Sequence, residues 1–184
     1  MDKYRELFLM QQIYGTLFSL ANKIQVKGDK YLERLTSRQY MAMMAIAYLP
    51  EDETTLNNIA RKLGTTKQSV KQLITIIEDR GYINIVPSQK DKRAVNVKIT
   101  EFGKQVFLEV TEKGIFFLAE LFENFSTEEL ETVWGLLKKL YRFDGEEQDG
   151  FEESNLEMDE NQNDVQMRVL KEFERRRNLT KMEN

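Results

Sequence analysis

The sequence predicts a mainly α-helical chain carrying one small β-hairpin. Three observations lead there. Apolar residues recur at alternating three- and four-residue steps along most of the first 143 positions. Ser or Thr stands where several of these stretches begin, as helix N-caps require. Two strand-like runs, 82–86 and 94–99, flank a short polar loop. At 184 residues, 41% of them apolar and 32% charged, the chain is long enough to bury roughly 70% of its unfolded surface in one core.

The first helix is expected over Leu7 to Ile24, where Leu7, Met10, Tyr14, Leu17, Ala21 and Ile24 form one stripe widened by Phe8, Phe18 and Leu20. Lys27-Gly28-Asp29 is expected to break it. Thr36 caps the next helix, which runs through MAMMAIAYL to Pro50, and Glu51-Asp52-Glu53 makes a turn. A short helix from Leu56 to Leu63, capped by Thr54 or Thr55, stops at Gly64. Thr66 then caps a helix that continues to Arg80 and ends at Gly81, with Val70, Leu73, Ile74 and Ile77 facing inward. Tyr82 to Val86 reads as one strand. Ala94 to Ile99 reads as its return, with Val95, Val97 and Ile99 alternating against Asn96 and Lys98. Thr100 opens a long aromatic-rich helix through Phe125. Ser126 and Glu129 form a capping box for a last helix bearing Leu130, Val133, Trp134, Leu137, Leu140 and Tyr141.

Composition excludes much. The chain has no cysteine and no histidine. Disulfides, thiolate metal sites and thiol redox switches are therefore absent, as are Ser–His and Cys–His hydrolase chemistries. No cofactor, no metal and no enzymatic activity are expected. The start of the chain lacks the apolar stretch of a secretory signal. The longest nearly apolar run, Met41 to Leu49, is half of the ~18 residues that suggest a membrane span. A cytoplasmic protein with no membrane association is the expectation.

The net charge of −4 conceals a polar distribution. Residues 55–100 hold nine Lys/Arg against three Asp/Glu, whereas residues 144–184 hold six against thirteen. The middle is basic and the end acidic.

A short helix, a tight turn, a second helix with a polar face and a basic-tipped hairpin make a winged helix-turn-helix. The major groove of B-DNA admits one helix, whose N-terminal turn reaches base edges. On the second helix, Gln68 and Gln72 carry amides suited to adenine, Lys67 and Lys71 reach phosphate or guanine, and Thr66, Ser69 and Thr75 complete the polar face. Lys90, Lys92 and Arg93 at the hairpin tip suit the adjacent minor groove. Winged helices also serve as protein-interaction modules without specific DNA binding, which is the alternative reading.

The run LTSRQYMAMMAIAYL, TTLNNIARKLG, TTKQSVKQLITIIEDRGYI, DKRAVNVKIT resembles the MarR (multiple-antibiotic-resistance regulator) family of transcription regulators. Its most specific element is the wing, with Asp91, Arg93, Ile99 and Thr100; Leu35-Thr36-x-x-Gln39 matches the entry to the second helix. The resemblance covers residues 5–143. It implies a homodimeric repressor that reads a pseudo-palindromic operator in double-stranded DNA, with Arg93 in the minor groove and Asp91 orienting the wing. Arg38 joins the expected DNA-contacting residues. The implied layout is a unit over 1–143, with dimerisation helices at 1–35 and 101–143 around a DNA-binding lobe at 36–100. Composition agrees, because those flanking helices carry more large apolar residues than one small subunit can cover.

Many such proteins release DNA when a small, often phenolic, anion binds between the two regions. Tyr14, Arg38, Tyr40 and Tyr48 fall nearest that position, although the residues define no pocket. Residues 144–164 hold ten acids and no base, an acidic linker, and residues 165–184 regain the pattern of an amphipathic helix with Val165, Val169, Phe173 and Arg175-Arg176-Arg177.

Overall fold

The computed structural model describes residues 2–88, 93–145 and 167–177. Six α-helices and a two-stranded antiparallel hairpin follow one another as α1 (Lys3–Leu32), α2 (Ser37–Tyr48), α3 (Leu56–Lys62), α4 (Lys67–Asp79), β1 (Ile83–Pro87), β2 (Val95–Ile99), α5 (Glu101–Leu121) and α6 (Thr127–Tyr141). The fold is the predicted mainly helical winged helix-turn-helix. A further helical stretch covers residues 167–177. Among the described residues, no helix is long and apolar enough to cross a membrane.

The expected break at Lys27-Gly28-Asp29 does not occur; α1 passes through it to Leu32. Gly28 is buried there because α2 starts against it, so close that a Cβ would stand 2.5 Å from Ser37 Oγ. Neighbouring polar groups complete the junction. Asp29 Oδ1 accepts the Ser37 N–H at 2.6 Å, and Ser37 Oγ donates to the Gln25 carbonyl at 3.3 Å. The glycine provides room for packing rather than a stop signal. α1 ends instead at Glu33, whose φ of 59° lies in the left-handed region.

The helix starts follow their caps. Thr36 and Gln39 form a reciprocal capping box on α2, and Thr55 caps α3. Thr66 caps α4, whose end is marked by Gly81 at φ 72°. Thr100 caps α5 through Gly103 N–H, while Ser126 and Glu129 box α6. α5 stops at Leu121, four residues before the expected Phe125, and the Phe122 and Phe125 rings meet edge-on across the corner that follows.

The core lies where α2 meets α4 and α5. Met43, Ile59, Ile74, Ile77, Ile83, Val97 and Val110 are fully covered there. Hairpin register runs from Ile83 opposite Ile99 to Pro87 opposite Val95. The expected alternation on β2 needs correcting. Asn96 is buried at 4% exposure, whereas Val95 is 36% exposed. The cause is a third strand segment: Thr55 bridges to Asn96, and Val97 N–H donates to the Thr54 carbonyl at 3.0 Å. That segment pairs with the outer edge of β2 and covers it at Asn96. Among the described residues, Asn96 Oδ1 has no hydrogen-bond partner.

Packing is uneven. From residue 2 to residue 23 of α1 only Leu17 is even half-covered, and no residue of α6 is buried. Large apolar side chains stand in solvent along both helices, among them Leu7, Met10, Phe18, Leu136 and Leu140.

Candidate nucleic-acid interface

The candidate reading surface is the exposed side of α4. Its inner side is fixed in the core by Val70, Ile74 and Ile77, so the helix cannot roll. Gln68, Lys71, Gln72 and Thr75 then fall at i, i+3, i+4 and i+7 and share one outward face. All four are exposed, as is Lys67. Among the described residues, Lys67, Gln68, Lys71 and Gln72 make no side-chain hydrogen bond or ion pair.

Other members of the predicted set have local duties. Thr66 Oγ1 accepts the Ser69 N–H at 3.1 Å, and the two hydroxyls lie 3.0 Å apart. Thr75 Oγ1 donates to the Lys71 carbonyl at 3.0 Å. These three hydroxyls are engaged within the helix, while the two lysines and two glutamines remain available for a ligand.

The hairpin tip is closed by a 3.0 Å bond from Ser88 N–H to the Ala94 carbonyl, with Arg93 exposed beside it. Lys90, Asp91 and Lys92 lie outside the described residues. Lys98, further down β2, is occupied by an ion pair with Glu51, which holds the Glu51 carboxyl below its ordinary range. Arg38 is exposed at the start of α2. Arg80, at the other end of α4 from Thr66, donates to the Arg34 carbonyl at 2.9 Å. Arg38 therefore sits on the side of that far end, apart from Lys67 and Gln68.

Of the four residues expected nearest an effector, Tyr14 and Tyr40 have different surroundings. Tyr14 is exposed and packs its ring 5.0 Å from Phe18. Tyr40 is half-buried with its hydroxyl 3.4 Å from Thr111 Oγ1, and burial raises its pKa. A groove of about 390 Å³ lies elsewhere, between α1 and α5, lined by Leu20, Lys23, Ile24, Lys27, Lys30, Tyr31, Phe117, Glu120 and Leu121. Lys23, Lys27 and Lys30 fall at i, i+4 and i+7, a spacing visible in the sequence, yet alone it reads as a solvated face. Tyr31 donates to Glu120 at 2.7 Å on this groove, and burial followed by that carboxylate raises its pKa. Among the described residues, no cluster of acidic, His or Cys side chains could hold a metal.

Residues 35–94 match the model of the MarR family. The winged lobe is similar to that family over those sixty residues, about a third of the chain. Over 104 residues the chain is 32% identical to the HTH-type transcriptional regulator YfiV of Bacillus subtilis, covering 55% of this chain and 65% of that protein. The chain thus spans just under two thirds of YfiV. The transcriptional activatory protein BadR of Rhodopseudomonas palustris is 26% identical over 137 residues, 72% of this chain and 78% of that one. A solved structure of a point mutant of MarR from E. coli, complexed with operator DNA, superposes with a TM-score of 0.62 at 21% identity, over 76% of this chain and 99% of that chain. At that identity the likeness concerns the fold. The MarR family and these relatives are transcription regulators, not enzymes.

Proposed function

We propose that this protein is a homodimeric, sequence-specific DNA-binding regulator that acts in the cytoplasm and represses transcription by occupying a pseudo-palindromic operator. The observation that carries the reading is the bare row of Lys67, Gln68, Lys71 and Gln72 on a helix immobilised by its buried side. Gln68 and Gln72 read adenine edges, Lys67 and Lys71 hold phosphate or guanine, and Arg93 enters the minor groove beside them. Asp91 steadies the wing and Lys90 and Lys92 add phosphate contacts, with Thr66, Ser69 and Thr75 supporting the reading helix and Arg38 touching the backbone further along. The operator complex of the E. coli MarR mutant supports this docking mode.

Pairing with a second copy is supported by α1. A 30-residue helix whose first two thirds have almost no cover is not stable in water on its own. The exposed apolar faces of α1 and α6, in a unit with flanks at 1–35 and 101–143 around the lobe at 36–100, supply a self-complementary interface. Two-fold symmetry then presents two reading helices to two half-sites. The groove between α1 and α5 supports release by a small apolar anion, with Lys23, Lys27 and Lys30 around its charge.

The test is anisotropy titration of labelled genomic fragments, selected by capture and sequencing, across a salt series. Tight binding of a palindromic subset, with log affinity falling linearly against log salt, supports the reading. Equal, weak retention of every fragment overturns it. Transcription in vitro from a captured promoter then decides repression against activation.

A further inference from the structure

Residues 167–177 form a helix seated on α5, and its contacts reach well beyond a surface helix resting on a neighbour. Val169 is buried at 4% exposure. Arg168 forks onto both carboxylate oxygens of Glu112 at 3.1 and 3.2 Å. Arg176 lies over the Phe116 ring, 4.3 Å from its centroid, and donates to Tyr31 Oη at 3.1 Å and Glu120 Oε1 at 3.2 Å. Arg177 donates to the carbonyls of Phe122 and Phe125, the latter at 2.6 Å. Glu172 positions Arg176 by accepting its Nε–H at 2.9 Å.

Two of these contacts reinforce joints of the main fold, one of which Tyr31 and Glu120 already make directly at 2.7 Å. Arg176 engages Tyr31 on the last turn of α1 and Glu120 on α5 at once. Arg177 donates to carbonyls in the corner that follows α5, where the helix dipole favours a cation. Beyond α1, the Arg34 carbonyl receives Arg80 from the end of α4. The segment that follows α1 thus touches the far end of the reading helix, and the C-terminal helix is joined to the last turn of α1 just before it.

We propose that residues 167–177 act as a strap that locks the last turn of α1 to the C-terminal half of α5, and so fixes the separation of the two reading helices. This rests on the dimer proposed above. Exposed ion pairs hold little by themselves; the strap is held by buried Val169, by the stack of Arg176 on Phe116 and by the hydrogen-bonded carbonyls.

The test uses the full chain, which has no cysteine of its own, with Asp79→Cys placing one nitroxide at the exposed end of each α4. Pulsed dipolar spectroscopy reads the distance between the two labels. The parent gives a single narrow distribution, as does Lys171→Ala, a substitution on the exposed side of the strap. Val169→Asp, which unseats the strap, loses the narrow peak, and Arg176→Ala broadens it. A narrow peak that persists in both Val169→Asp and Arg176→Ala overturns the strap while leaving the dimer standing. Absence of dipolar coupling in the parent at micromolar concentration overturns the dimer, and the strap's role in spacing falls with it.

Discussion

The carbonyl oxygen of Tyr82 presses so closely on Gly103 that a Cβ at that position would stand 1.9 Å from it. Thr100 brings the two together: its N–H donates to the same carbonyl at 3.0 Å, and its hydroxyl donates to the Gly81 carbonyl at 2.7 Å. The first turn of α5 is therefore laid directly on the entry to β1.

Gly103→Ala is expected to destabilise the protein by about 3 kcal/mol, at the upper end of overpacking costs, because the obstacle is backbone. Gly28→Ala, also inside a helix, stays within about 1 kcal/mol of the parent. Ser37 can turn its hydroxyl away at the expense of one hydrogen bond, and the gain in helix propensity offsets that loss. Urea denaturation of the two variants checks the contrast.

Operator affinity should fall by about 1–3 kcal/mol in Arg93→Ala, the size of one good groove contact. Gln68→Ala and Gln72→Ala relax base preference, which a randomised half-site library reads directly. Lys71→Ala weakens all sequences alike and lowers the salt slope by about 1. An unchanged preference in both glutamine variants would remove α4 from the reading role.

Phe18→Glu should separate the subunits. Symmetry places the unpaired carboxylate at the interface twice, each at a cost of about 3–5 kcal/mol. Sedimentation velocity at micromolar concentration should show the monomer, with reduced far-ultraviolet helix signal as the uncovered part of α1 frays. A dimer of parental stability would displace the interface from this face.

Arg175 and Arg176 hold the Glu172 carboxyl down at about 2, from an ordinary value of 4.5. A depressed carboxylate favours the seated helix at any pH above its ordinary value, and that contribution disappears as pH falls through about 2. Carboxyl-carbon NMR of Glu172 should show no titration near 4.5 in the intact chain. The double variant Arg175→Ala, Arg176→Ala should restore titration close to 4.5.

Much of the fold was legible because cap chemistry is local. Thr36, Thr66, Thr100 and Ser126 announce their helices within four residues, and the α4 face follows from helical spacing. Features depending on distant parts of the chain were not legible. Gly28 looks like a stop until Ser37 is seen against it, and Asn96 looks solvent-facing until Thr55 covers its strand. Lys23, Lys27 and Lys30 pass for a wet surface without Phe117 opposite. Glu112 and Phe122, which Arg168 and Arg177 reach, lie more than fifty residues back in sequence, beyond any local pattern; the acidic stretch between, residues 146–164, lies outside the described residues.

The bare stripe of α1 finds almost no cover among the described residues of its own chain, which makes copy number part of the folding equation. Where the cover is a second copy, assembly follows the square of the free monomer concentration while pairing is incomplete. Halving the supply then more than halves the completed pairs, so dosage tunes the response before any effector arrives.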